Sequence, residues 1–233
     1  KYFKRTFEAS WDVFEGQVYE EFLEVVHDRT RNAFTFVLPD GSARLGSGQK
    51  TIYLDIVVAG VDWGFGVGHS GSIVVGGKCG NKWYILEDAI DEGILVAPQS
   101  EGQDSWITRA RRLMVKWQIS TFFCDSASPE NIQAFRQAGL PARPACKEVR
   151  EGIESVARAL HVDDSTSEPG LYFMEGARGC LGEIAFYHWK EGATKDQPDK
   201  TDDHCMDSLR YLVHSHEKIG RFRREPMYDA KVS

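Results

Sequence analysis

The sequence predicts a mixed α/β fold, and three observations predict it. The run Asp55 to Asp62 (DIVVAGVD) is continuously apolar and β-branched between its carboxylates, the composition of a central strand buried on both faces. Two β-rich runs, Ser72 to Gly76 and Lys82 to Glu87, flank Gly80-Asn81 and read as an antiparallel hairpin. From Asp104 onward, amphipathic helical patterns alternate with short apolar strands. A hairpin joined to strand–helix alternation requires a sheet of mixed direction, flanked by helices.

Taken in order, Val18 to Phe22 and Ala33 to Leu38 are candidate short strands, the second ended by the turn Pro39-Asp40-Gly41. Ser42 to Lys50 is rich in Gly and Ser and reads as a loop or linker. After the hairpin, Asp104 or Ser105 caps a helix with Trp106, Ile107, Ala110, Leu113, Met114 and Trp117 at helical spacing. Thr121 to Asp125 is a short strand ending in a carboxylate. Ser128 then N-caps a helix with Pro129 at its first position. Ala142 to Ala145 reads as a strand and Val149 to Leu160 as a helix with Val149, Ile153, Val156 and Leu160 on one face. Asp163 to Gly170 reads as a loop, Leu171 to Met174 as a strand and Cys180 to Tyr187 as a helix. Lys190 to Lys200 is a polar hairpin or flexible loop. Asp202 to His216 is a helix with Met206, Leu209 and Val213 inward. The organisation expected is a lead-in over 1–50 packed on the domain, a core domain over 51–217 and a basic tail over 218–233.

Composition bounds the function. A length of 233 residues fits one large domain with appendages. Twenty-eight basic against thirty-five acidic residues give −7, which excludes coating nucleic acid by bulk charge but not gripping it with a local patch. No apolar run reaches membrane-span length and no secretory signal opens the chain, so no membrane partner is expected. The chain starts at Lys1 rather than Met and reads as a fragment of something longer. Its five cysteines are odd in number and lack any Cys-x-x-Cys pair, so reduced thiols are expected rather than a disulfide framework or structural zinc.

Several familiar chemistries fail on context. Gly66-x-Gly68-x-x-Gly71 has dinucleotide-fingerprint spacing, but its third glycine opens a strand where the fingerprint needs a helix. Neither a P-loop nor a Gly-x-Ser-x-Gly nucleophile elbow occurs. What remains is carboxylates. Asp62 and Asp125 each end an apolar strand, where ligands bind in open α/β sheets. The cluster Asp202-Asp203-His204-Cys205-Met206-Asp207 opens the last helix, with His204 and Asp203 sharing a face with Asp207. Each also has a plainer role: Asp62 and Asp125 suit turns, and Asp202 or Asp203 suits a helix cap. If the carboxylates converge, their repulsion calls for a hard divalent cation such as Mg²⁺ or Mn²⁺, which oxygen ligands suit. Two such ions about 3.5–4 Å apart can activate water and stabilise a leaving oxygen in phosphodiester hydrolysis.

The order Gly60-Val61-Asp62-Trp63-Gly64, Phe123-Cys124-Asp125-Ser126 and Lys200-Thr201-Asp202-Asp203-His204-Cys205-Met206-Asp207-Ser208-Leu209-Arg210-Tyr211 resembles the C-terminal nuclease domain of the large terminase subunit of tailed bacteriophages. Glu15 to Phe22 resembles the family's lead-in from its ATPase domain, and Glu183 to Trp189 its penultimate helix. The resemblance implies an RNase H-like fold with a five-stranded mixed sheet and a two-metal site for Mg²⁺ or Mn²⁺. It implies endonucleolytic cutting of concatemeric double-stranded viral DNA during packaging. Asp62, Asp125 and Asp207 would be catalytic metal ligands, with Asp203 and His204 as accessory ligands or supporting groups. The implied partners are an N-terminal ATPase domain, portal and small terminase subunit, and the implied location is the host cytoplasm. The domain alone is expected to be monomeric, and to cut without translocating. Expected phosphate contacts are Lys147 and Arg150, the Lys190/Lys195/Lys200 loop, and Arg221, Arg223 and Arg224. A Holliday-junction resolvase or integrase shares the carboxylate logic. A sugar-kinase or actin-like module shares Asp62-Trp63-Gly64 before a hairpin but needs a second half that is not here.

Overall fold

The computed structural model describes residues 16–30, 34–45, 50–64, 70–190, 197–201 and 203–224. Residues 18–22, a candidate strand, form none. Val18, Tyr19 and Phe22 all turn inward, a spacing no strand with alternating faces can satisfy, and Gln17 makes only an isolated bridge to His188. A short helix α1 (Glu24–His27) follows. Strands β1 (Phe34–Val37), β2 (Ala43–Leu45) and β3 (Lys50–Tyr53) form a small sheet in the order β2-β1-β3. Part of the expected Ser42–Lys50 loop is therefore strand: Arg44 pairs with Phe36 across the Asp40-Gly41 turn. Phe36 fastens this sheet to the body through edge contacts with Tyr84 and Trp117.

The main sheet contains β4 (Ile56–Asp62), β5 (Ser70–Cys79), β6 (Lys82–Glu92), β7 (Thr121–Cys124), β8 (Ala142–Pro144) and β11 (Leu171–Gly176) in the order β11-β6-β5-β4-β7-β8. The hairpin β5–β6 and the pair β4–β5 are antiparallel, and β4–β7, β7–β8 and β6–β11 are parallel. This is the mixed sheet expected, with six strands where the resemblance implied five. The strands β9 (Val162–Asp163) and β10 (Glu168–Pro169) are a two-residue ladder inside the expected Asp163–Gly170 loop.

Helices cover both faces, and strand alternation sorts the side chains between them. Val57, Ala59 and Val61 of β4 join Ile73, Val75, Phe122 and Cys124 beneath α2 (Trp106–Trp117) and α3 (Pro129–Gln137). Val58, Val74 and Phe123 face the other way, against α4 (Val149–Leu160), α5 (Arg178–Ile184) and α6 (His204–Arg224). Ser105 is the N-cap of α2, its hydroxyl accepting from Thr108 N–H at 3.1 Å. Ile153, Val156 and Leu160 of α4 are buried as the pattern requires, while Val149, at its first position, faces solvent. Helix α5 stops at Ile184, three residues before the expected end. Helix α6 runs past His216 into the expected tail, held there by Lys218 pairing with Glu148 at 2.6 Å and by Ile219 against the core. Among the described residues no helix is long and apolar enough to cross a membrane.

Candidate active site

Strand register decides where the aspartates go. Val61 pairs with Cys124 in the parallel ladder, so Asp62 and Asp125 stand next to each other at the strand ends. Asp62 alternates with Val61, and Asp125 with Cys124, so both side chains take the face that α6 covers. Asp125 N–H donates to Val61 O at 2.8 Å, and the Trp63 indole donates to Asp125 O at 2.9 Å. Both aspartate backbones are thereby tied to one corner of the sheet.

Helix α6 reaches that corner because Gly60 lets it. A methyl group at Gly60 would lie 1.9 Å from Ser208 O and 3.1 Å from Leu212 N, so α6 rests directly on the strand backbone. Ser72 on β5 completes the seat, donating to His204 O at 2.8 Å and sharing a 2.6 Å hydroxyl contact with Ser208. The first two turns of α6 therefore bring Asp203, His204 and Asp207 over Asp62 and Asp125.

A basic side-chain nitrogen meets each carboxylate. His204 Nδ1 lies 3.2 Å from Asp62 Oδ2, and Lys147 Nζ lies 2.6 Å from Asp125 Oδ1. Asp207 receives Arg210 at 2.6 Å and Lys200 at 3.1 Å. Lys200 also lies 3.2 Å from Asp203 Oδ2, an ion pair without hydrogen-bond geometry. Burial pushes the Asp62 carboxyl above its ordinary range; the His204 contact opposes this, and the charges of Asp207 and Asp125 reinforce it. Burial likewise raises Asp203, helped by Asp207 and opposed by Lys200. The hydrogen bond to Asp62 raises His204 against the effect of burial. For Asp207, burial acts upward but Arg210 and Lys200 outweigh it, so the carboxyl sits below its ordinary value. The Tyr211 phenol is raised first by burial and then by the charges of Asp207 and Asp125, with Arg210 opposing and Asp62 adding a smaller push.

The sequence candidates thus divide. Asp62, Asp125, Asp203, His204 and Asp207 come together at one corner of the sheet, with Lys147 and Lys200 paired to them. Arg150 instead pairs with Glu154 on the exposed side of α4. Lys190 is exposed, its backbone N–H bonded to Gln197 O. Lys195 and Asp202 lie outside the described residues, as do the side chains of Arg221, Arg223 and Arg224. Two groups escaped the sequence reading. Arg210 is buried against Asp207, its stem crossing α4 where Gly152 has no side chain. Glu183 of α5 accepts from the Cys205 and Met206 N–H groups at 2.7 and 3.2 Å, capping α6 from another helix. Burial pushes its carboxyl up to about 7 against those two N–H donors. Arg210 stands three residues from Asp207 on one helix face, a spacing the sequence does offer, whereas the partner of Glu183 is set by helix packing.

The donor set, four carboxylates and an imidazole, suits a hard divalent cation. Three of the four are already neutralised by lysine or arginine nitrogens, which stand where positive charge is needed. Among the described residues the aspartates do not converge as a trio within 4.8 Å; an ion would have to draw them inward and displace a lysine.

The mixed six-stranded sheet flanked by helices is the RNase H-like fold that the resemblance implied. Solved structures of phage large terminases share it. The large terminase of a thermophilic bacteriophage, solved in complex with ADP, matches with a TM-score of 0.61 and 21% identity over 92% of this chain, which spans about half (48%) of that protein. The large terminase nuclease of thermophilic phage G20c matches at 0.56 and 14% identity, over 88% of this chain and 99% of that one. The g2p large terminase nuclease domain of bacteriophage SPP1, solved with bound Mn, matches at 0.51 and 16% identity, over 71% of this chain and 88% of that one. No family model and no curated protein sequence matches the chain.

Proposed function

We propose that this chain is the nuclease part of a phage large terminase, a divalent-metal-dependent endonuclease that cuts concatemeric double-stranded DNA during genome packaging. The observation that supports it best is that Asp62 and Asp125 end neighbouring strands directly beneath the start of the helix carrying His204 and Asp207, on a fold shared with a nuclease domain solved with bound Mn. Asp62, Asp125 and Asp207 would hold the metal ions, with His204 and Asp203 beside them. Two bound Mg²⁺ or Mn²⁺ ions would supply an activated water and charge stabilisation at the leaving oxygen.

The chain's own residues do the rest. Arg210 keeps Asp207 ionised at neutral pH, and Glu183 and Ser72 fix the turn of α6 from which Asp207 projects. His204 orients Asp62 through Nδ1. Lys147 and Lys200, released from Asp125 and Asp207, are placed to contact the phosphate backbone. With a net charge of −7, binding by this domain alone is weak and salt-sensitive, and an ATPase domain, portal and small subunit are the partners of the whole assembly.

The test is nicking of supercoiled plasmid with Mn²⁺. The parent chain is expected to cut, and Asp62→Ala, Asp125→Ala and Asp207→Ala each to be inactive while remaining folded. An inert parent, or a folded Asp62→Ala variant that cuts as well as the parent, removes the proposal.

A further inference from the structure

Behind α6, away from the aspartates, lies a second set of donors that the nuclease reading leaves unused. Asp88 on β6, Cys180 on α5 and Cys205 on α6 bring one carboxylate oxygen and two Sγ atoms within 4.8 Å of one another. Both cysteines are fully buried. Asp88 is turned toward them, accepting from Cys180 N–H at 2.8 Å. Gly179 makes room for this inward carboxylate: a methyl group there would lie 3.1 Å from both Asp88 oxygens and 2.3 Å from Ile90 Cδ1.

We propose that Asp88, Cys180 and Cys205 bind one Zn²⁺ ion, which ties β6 and α5 to the helix bearing Asp203, His204 and Asp207. Two thiolates and a carboxylate are a borderline-soft set, chemically distinct from the thiol-free group of carboxylates and an imidazole on the other side of α6. The first favours Zn²⁺ and the second Mg²⁺ or Mn²⁺. With Zn–S near 2.3 Å and Zn–O near 2.1 Å, tetrahedral ligands sit about 3.6 Å apart, so these donors need to draw in by roughly 1 Å. On binding, Zn²⁺ replaces the two Sγ protons, which leave to solvent. The site then carries −1 in all, next to the positive end of a 21-residue helix. Gly179 and His204, chain neighbours of the two cysteines, line a cavity of about 540 Å³ together with Ile90, Gly182 and Glu183, from which a water would enter as fourth ligand. A cysteine-spacing rule misses the set because its members are 92 and 25 residues apart and only the fold assembles them.

The experiment uses the full 233-residue chain, reduced and stripped of metal, with Co²⁺ as the probe and no DNA present. One equivalent of Co²⁺ is expected to give thiolate-to-cobalt charge-transfer absorption and tetrahedral d–d bands, both abolished by one equivalent of Zn²⁺. Cys180→Ser and Cys205→Ser are each expected to remove the charge-transfer band. The Asp62→Asn/Asp125→Asn variant is expected to keep it, so the result is independent of whether the protein cuts DNA. Where a cysteine variant fails to fold, the parent spectrum and its shift in Asp88→Asn decide. No charge-transfer band in the parent overturns the proposal. So does a band that survives both cysteine substitutions, or a Cys180–Cys205 disulfide in the isolated protein in place of two free thiols.

Discussion

Replacing Gly60 by alanine tests the claim that the site exists because a helix touches a strand backbone. The added carbon would lie 1.9 Å from Ser208 O and 2.8 Å from Ser208 C. A carbon–oxygen contact relaxes to roughly 3.5 Å, so α6 has to retreat by on the order of 1.5 Å. The obstacle is main chain, not a side chain that can swing away, and Ser208 is one residue from Asp207. Overpacking of this kind costs about 1–3 kcal/mol, and a 1 Å misplacement of catalytic groups costs on the order of 100-fold in rate. Urea unfolding and Mn²⁺-dependent plasmid nicking read the two effects separately. Gly182→Ala is the control: it lies in α5, near the same site, and its methyl group would meet nothing within 4 Å. That change is expected to leave stability unchanged or raise it by up to about 1 kcal/mol, as glycine-to-alanine changes inside helices do. If Gly60→Ala unfolds within about 0.5 kcal/mol of the parent and nicks at the parental rate, the backbone contact does not set the site, contrary to the usual cost of overpacking.

Arg210→Met keeps the buried stem but removes the guanidinium from Asp207, and breaking a buried ion pair of this type costs about 3–5 kcal/mol. Urea denaturation should show that loss, and pairing the change with Asp207→Leu should recover most of it; a single variant within about 1 kcal/mol of the parent refutes the assignment. His27 provides a pH test remote from the site. Burial holds its pKa below 6.5, and the neutral ring is accommodated by donating from Nε2 to Leu160 O at 2.7 Å while Nδ1 accepts from Leu23 N–H at 3.0 Å. The unfolded chain therefore takes up the proton first as pH falls. The stabilisation is complete above about pH 6.5 and shrinks below it until the folded state's own His27 is protonated. Thermal melts of the parent should lose stability through that window, and a folded His27→Gln should lose less; equal slopes would exclude His27 as the cause.

Much of the fold was legible because its signals are local. The apolar run of β4, the Gly-Asn turn of the hairpin, the Ser105 cap and the face of Ile153, Val156 and Leu160 each follow from periodicity or turn chemistry within a dozen residues. The misreadings are the places where distant packing overrides a local pattern. Residues 18–22 look like a strand in isolation but are held by Tyr187 and by side chains that all point one way. The end of α6 lacks an apolar stripe of its own, yet Lys218 meets Glu148 from a helix 70 residues earlier. The short strand β2 lies in a segment whose glycines and serines read as linker, and only its ladder with β1 reveals it.

The candidate site divides along the same line, for an electrostatic reason. Strand-end and helix-start carboxylates can be picked out singly, because an aspartate ending an apolar strand is costly without a partner. Their partners are less legible: Arg210 stands three residues from Asp207 on one helix, but only the fold brings Lys147 to Asp125, Lys200 to Asp207 and the His204 ring to Asp62. These cations differ in a way that bears on function. Arg210 is buried and fixed, so its charge is permanent and keeps Asp207 ready as an anion. Lys147 and Lys200 are exposed on flexible stems, so they can leave when a divalent ion arrives and turn toward a phosphate. A site built in this way holds its carboxylates against mutual repulsion before metal binds. On the proposed function, the displaced lysines would become DNA contacts once metal binds, which is how an acidic domain would grip a polyanion at the place it cuts.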